Sequence, residues 1–146
     1  MKRVQQALPA LGADAELIDT HCHLDMEPFA ADLEAVIRAA AEHGVRRIVT
    51  IGIDEASSLR AVALADRYPG VYATIGFHPH DAVGATGAAL ERLATLATEA
   101  KVVAYGEIGL DYVKQYAPPE TQRRAFADQL SLARTLDLPV VIHDRE

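Results

Sequence analysis

Five short apolar runs, each followed by helical spacing or the chain end, set the strongest limit on what this chain can fold into. Leu17-Ile18 belongs to the first run. Residues 46–53 form the second, Val71 to Ile75 the third, Val102 to Tyr105 the fourth and Pro139 to His143 the fifth. Four apolar stripes lie between them: Phe29, Leu33, Val36, Ile37, Ala40 and Ala41; then Leu59, Val62 and Ala63; then Leu90, Leu93, Ala94 and Ala97; then Phe126, Leu130 and Ala133. Pro28 opens the first helix and Gly44 ends it; Asp54 caps the second; Pro118-Pro119-Glu120 starts the fourth and Leu138-Pro139 stops it. Strands so poor in charge are those buried on both faces between helices. The β-α repeat implies right-handed crossovers and a parallel sheet.

Two parallel architectures compete. A doubly wound open sheet often carries a Gly-rich turn after its first strand, and this chain has none. A (β/α)8 barrel puts its chemistry at the C-terminal ends of several strands. Here His21 and His23 end the first strand, His78 the third, Glu107 the fourth and His143 the fifth. A full barrel usually takes about 250 residues, and this chain has 146. The expected fold is therefore α/β: a TIM-like (β/α)8 barrel, incomplete, with about five βα strands present and the closing strands missing. Residues 1–14 are expected to be a flexible leader, and 15–146 the N-terminal portion of a single barrel domain.

On an extended segment His21 and His23 point the same way, with Asp19 and Asp25 in phase, which suits a divalent metal. On a helix the pair would diverge. An isolated His-x-His also describes two half-buried histidines satisfied by backbone and water; the ligand types at the other strand ends favour the metal. Glu107 lies between Gly106 and Gly109 after an apolar strand, where a glutamate without a partner is costly. Cys22, the single cysteine, points to the opposite face as core packing, and its solitude excludes a disulfide framework or a zinc ribbon. His43, in the last turn of a helix, reads as a surface residue. The net charge of −7 argues against a protein that coats duplex DNA. It does not argue against one that grips a strand end at a metal. No apolar run reaches the length of a membrane span and the start is no convincing signal peptide, so the expected location is cytoplasmic.

Four stretches carry a family resemblance: Asp19-Thr20-His21-Cys22-His23-Leu24-Asp25, Gly76-Phe77-His78-Pro79-His80, Gly106-Glu107-Ile108-Gly109-Leu110-Asp111-Tyr112 and Leu138 to Arg145. In this order they resemble the N-terminal part of a TatD-family metal-dependent deoxyribonuclease. The resemblance implies a two-metal hydrolase of DNA phosphodiester bonds, acting from a strand end. His21 and His23 would hold one metal and His143 the other, with Glu107 bridging both and His78 beside them to meet the substrate. The cofactors would be two divalent ions, Mg, Mn or Zn, since imidazoles suit zinc and similar ions better than calcium. Two cations about 3.5–4 Å apart stabilise both the attacking and the leaving oxygens of an in-line displacement. The family draws a further histidine and an aspartate from later strands, whereas this chain ends at Glu146. Impaired activity and self-association through open barrel edges are therefore expected.

Several residues keep two readings. Arg145 contacts a substrate phosphate or makes a surface ion pair. Asp111 and Asp25 orient histidines or stabilise turns. Tyr112 and Tyr116 stack on a base or pack in loops. Glu120 and Arg124 read as a solvated helix pair. Two other functions compete with the nuclease. One is a metal-dependent amidohydrolase acting on C–N or ester bonds, many of which bridge their metals with a carboxylated lysine; here Lys101 precedes the fourth strand and Lys114 follows it. The other is an inactive metal-binding fragment.

Overall fold

Strands β1 (Leu17–Cys22), β2 (Val45–Thr50), β3 (Val71–Ile75), β4 (Val102–Asp111) and β5 (Val140–Arg145) form one parallel sheet in chain order. Helices α1 (Leu33–Glu42), α2 (Glu55–Arg67), α3 (Gly87–Leu96) and α4 (Pro119–Thr135) alternate with them. The computed structural model describes residues 15–146; the leader expected over 1–14 lies outside them. Strand order never reverses, as it would at the switch point of a doubly wound sheet. Sequential parallel pairing is the wall of a (β/α)8 barrel, and five strands make a part of one.

Burial follows position in the sheet. Val71, Ala73 and Ile75 of β3 are fully buried against Ala61 and Ala65 of α2 and Leu93 of α3. The two outer strands are not covered in this way: Leu17 and Ile18 of β1 are 43% and 49% exposed, and Val140 and Ile142 of β5 are 40% and 47% exposed. Helix α2 starts on a reciprocal cap. The Asp54 carboxylate accepts from Ser57 N–H at 2.6 Å and the Ser57 hydroxyl accepts from Asp54 N–H at 3.0 Å. Such caps contribute about 1 kcal/mol.

Two local expectations are corrected and one turn is added. The helix expected from Pro28 is split: Glu27–Phe29 is a separate 3-10 turn and α1 begins only at Leu33, after Asp32 takes a non-helical conformation. A second 3-10 turn, Pro79–Gly84, follows β3. Helix α4 buries Gln122, Ala125, Gln129 and Ala133, while Leu130 is 37% exposed. The glutamines are inside because strand ends leave backbone groups that must find partners. Gln129 accepts from Phe77 N–H at 2.7 Å and donates to Phe77 O at 3.1 Å. Gln122 does the same for Asp111, at 2.8 and 3.0 Å.

Strand β4 is also longer than expected. It continues past Tyr105 through Glu107 to Asp111, paired with β5 as far as Arg145. Gly106 and Gly109 make this possible, with φ of +155° and +149°. A Cβ on Gly106 would come within 2.6 Å of Val141 O, and one on Gly109 would strike His143 O. Gly109→Ala should therefore cost about 2–5 kcal/mol, seen as a lower urea midpoint at unchanged slope. Gly87→Ala, in open space at the start of α3, should leave the midpoint almost unmoved. Equal behaviour of the two variants would contradict the close β4–β5 approach.

Candidate metal centre

The C-terminal ends of β1, β3, β4 and β5 converge on the Glu107 carboxylate, which is 8% exposed. Its two oxygens face different imidazoles: Oε2 lies 3.3 Å from His21 Nε2 and Oε1 lies 3.0 Å from His143 Nδ1. Among the described residues two groups of side chains could hold a metal, His21, His23 and Glu107 on one side and His78, Glu107 and His143 on the other. Within each group, one potential ligand atom per residue lies within 4.8 Å of the others. Glu107 is common to both.

The partners of each ring nitrogen limit what that ring can do. His23 Nδ1 donates to Ile51 O at 3.2 Å, which leaves Nε2 with a free lone pair. His143 Nε2 donates to Asp111 Oδ2 at 3.2 Å, which leaves Nδ1 for the Glu107 side. His78 differs. Its Nδ1 accepts from His80 N–H at 3.1 Å, so the neutral ring carries its proton on Nε2 and is a donor there. Burial, with the nearby His143 and His80, pushes its pKa down to about 4 against the opposing pull of Glu107; the ring is neutral near pH 7. His78 thus sits among the ligand atoms with the tautomer of a hydrogen-bond donor.

Asp111 organises the far side. It is fully buried. Oδ2 receives His80 Nε2 at 2.7 Å and His143 Nε2 at 3.2 Å, with Arg145 at 3.6 Å. Oδ1 receives the Val113 and Lys114 N–H groups at 3.1 and 2.8 Å. Burial alone would raise its pKa, but the Lys114 N–H, the two imidazoles and Arg145 outweigh it and hold the carboxyl well below the usual carboxylate range.

Of the residues singled out in the sequence, His21, His23, His78, Glu107 and His143 come together, with Arg145 beside Asp111. Asp19 and Asp25 do not join them. Asp19 accepts from His21 N–H at 3.1 Å, and Asp25 is paired with Arg60 at 3.0 Å. His43 is an exposed residue at the end of α1, as expected. Glu120 pairs with Arg123 in place of Arg124. His80 was missed as a site residue, although His78-Pro79-His80 repeats the spacing of His21 and His23. No periodicity signals Gln122, whose role is to hold the Asp111 backbone.

Residues 18–146 match the family described as TatD related DNase. The chain belongs to the TatD family. It is 42% identical over 130 residues to the uncharacterized metal-dependent hydrolase YabD of Bacillus subtilis, covering 89% of this chain and 51% of YabD. It is 40% identical over 131 residues to the 3'-5' ssDNA/RNA exonuclease TatD of Yersinia pseudotuberculosis, covering 89% of this chain and 50% of that protein. The crystal structure of YjjV, a TatD homologue from Escherichia coli, superposes with a TM-score of 0.82 at 40% identity, over 88% of this chain and 51% of YjjV. This TatD-family chain thus spans about half the length of the relatives it matches, and the part-barrel corresponds to half of their fold.

Cys22 separates His21 and His23 yet takes no part in either group. Its thiol points to Val49 O, at 3.7 Å, and packs against the core. Burial, with the charge of Asp19 and Asp25, pushes its pKa up to about 12. The folded chain should resist iodoacetamide at about pH 8 and react quickly once unfolded in urea. Equal rates in both states would show the thiol to be open.

Proposed function

We propose that this centre belongs to a two-metal hydrolase of nucleic-acid phosphodiesters, working from a strand end. The observation that carries the proposal is the split of Glu107, one oxygen toward His21 and the other toward His143. A carboxylate so shared fits a bridge between two divalent ions. His21 and His23 would hold one and His143 the other. When bound, the ions would supply Lewis-acid stabilisation of charge on the phosphoryl oxygens. The chain's own residues do the remaining work. His78, neutral and a donor at Nε2, hydrogen-bonds a phosphoryl oxygen. Asp111 fixes the ring of His143, and Arg145 is held near the same carboxylate as a cation for the phosphate. Strand-end cleavage of DNA or RNA is supported by relatives named as 3'-5' ssDNA/RNA exonucleases. Against the amidohydrolase reading, Lys101 is committed elsewhere. Its ammonium donates to Ala65 O, Tyr68 O and Pro69 O, at the opposite end of β4 from Asp111.

The test is release of nucleotides from a labelled single-stranded oligonucleotide with Mg²⁺, Mn²⁺ or Zn²⁺. It should be run on the 146-residue chain and on a version extended to the length of its relatives. Glu107→Gln should weaken binding at both metal sites and lower the rate of the extended protein by at least about 100-fold. Unchanged metal stoichiometry and rate would rule out the bridge.

The edges of the sheet carry a second expectation. Exposed apolar strand edges template association, and both β1 and β5 are such edges. The 146-residue chain should therefore sediment as concentration-dependent oligomers, and the extended version less so. A monodisperse monomer at high concentration would contradict this.

A further inference from the structure

A groove of about 590 Å³ opens beside the proposed centre, between the start of α2, the Pro79–Gly84 turn, α3 and the loop after β4. Apart from His80, which meets Asp111, the proposed mechanism uses none of its lining. Its wall nearest the centre is His80, whose ring lies 4.3 Å from that of His78 and 6.1 Å from that of His143. On the other side of His80 stands Tyr116, 4.6 Å away and nearly perpendicular at 77°. Tyr116 is 68% exposed and Val83, also lining the groove, is 66% exposed. Much of the Tyr116 ring is therefore open to solvent beside the groove. An exposed ring of this kind beside a groove is a surface on which a base can stack.

Charge in the groove selects the kind of occupant. Asp54 and Asp81 line it. Arg92 lines it too, but both Arg92 donors that face Glu55 are taken, at 2.5 and 2.8 Å. One Asp54 oxygen serves the cap of α2; the other, and Asp81, are acceptors without a donor among the described residues. A phosphate would be repelled here, so the anionic part of a substrate belongs at the metals. A base with hydrogen-bond donors on its edge is complementary, as carboxylates accept from the amino group of cytosine.

We infer that this groove is the subsite for the base of the nucleotide held at the centre, with Tyr116 as stacking platform and the Asp54 and Asp81 carboxylates favouring bases that carry an amino group. The inference rests on the nuclease reading for the position of the phosphate. It makes the site discriminate among terminal bases, with cytosine, adenine and guanine above thymine or uracil.

The test is equilibrium binding of three probes to the chain in the presence of Mn²⁺: deoxycytidine 5'-monophosphate, thymidine 5'-monophosphate and deoxyribose 5-phosphate. Deoxycytidine monophosphate should bind more tightly than thymidine monophosphate. Tyr116→Ala should weaken it roughly tenfold relative to deoxyribose 5-phosphate, Tyr116→Phe should restore it, and Asp81→Asn should reduce the preference for cytosine. Tyr116 is exposed, so circular dichroism should show its variants folded. Equal affinity for the two nucleotides, or an equal loss for all three probes in Tyr116→Ala, overturns the inference. Nucleotide binding that needs Tyr116 but not Mn²⁺, with deoxyribose 5-phosphate not bound at all, supports the groove and sinks the metal-centre reading instead.

Discussion

The close approach of β4 to β5 is the constraint on which the site depends. At Gly106 and Gly109 the two backbones come nearer than any side chain allows. That approach carries the pairing on to Asp111 and Arg145. Glu107 and His143, on adjacent strands, then meet at hydrogen-bond distance. Asp111 meets the same histidine from the other side. A bulkier residue at either glycine would push β5 outward and separate the carboxylates from the imidazole they share.

Much of this was legible in the sequence, and the reason is the way parallel sheets are built. Charge-poor runs must be strands buried between helices, and polar residues just past them must lie at one end of the sheet. That rule puts His21, His23, His78, Glu107 and His143 at one end of the sheet, and the family resemblance supplies the roles expected of them. What the rule could not supply were the residues that answer to backbone geometry. Gln122 and Gln129 are buried because they complete the hydrogen bonding of Asp111 and Phe77, and no apolar stripe marks them. The length of β4 was hidden by its glycines, which read as a turn yet lie in extended pairing. Asp25 was in phase with the histidines by count, but the chain leaves the strand after Cys22 and its carboxylate turns to Arg60.

The two ends of the sheet are specialised differently. At the N-terminal end of β4, Lys101 donates to the carbonyls of Ala65 and Tyr68 at the C-terminal end of α2, a stabilising contact for a cation. At the C-terminal end the polar groups are held by one another, ring to carboxylate to backbone N–H. The first arrangement serves the fold. The second is the candidate site, and the buried glutamines of α4 hold the strand ends that carry it.

One atom joins the proposed centre to the groove beside it. Asp111 Oδ2 is shared by His80, His143 and Arg145, and a single carboxylate oxygen cannot serve three cations or rings equally. Whatever displaces His80 leaves more of that oxygen to the other two. A ligand that moved His80 off this oxygen would thereby tighten the hold of Asp111 on His143, and by reciprocity a change at His143 would alter the affinity for that ligand.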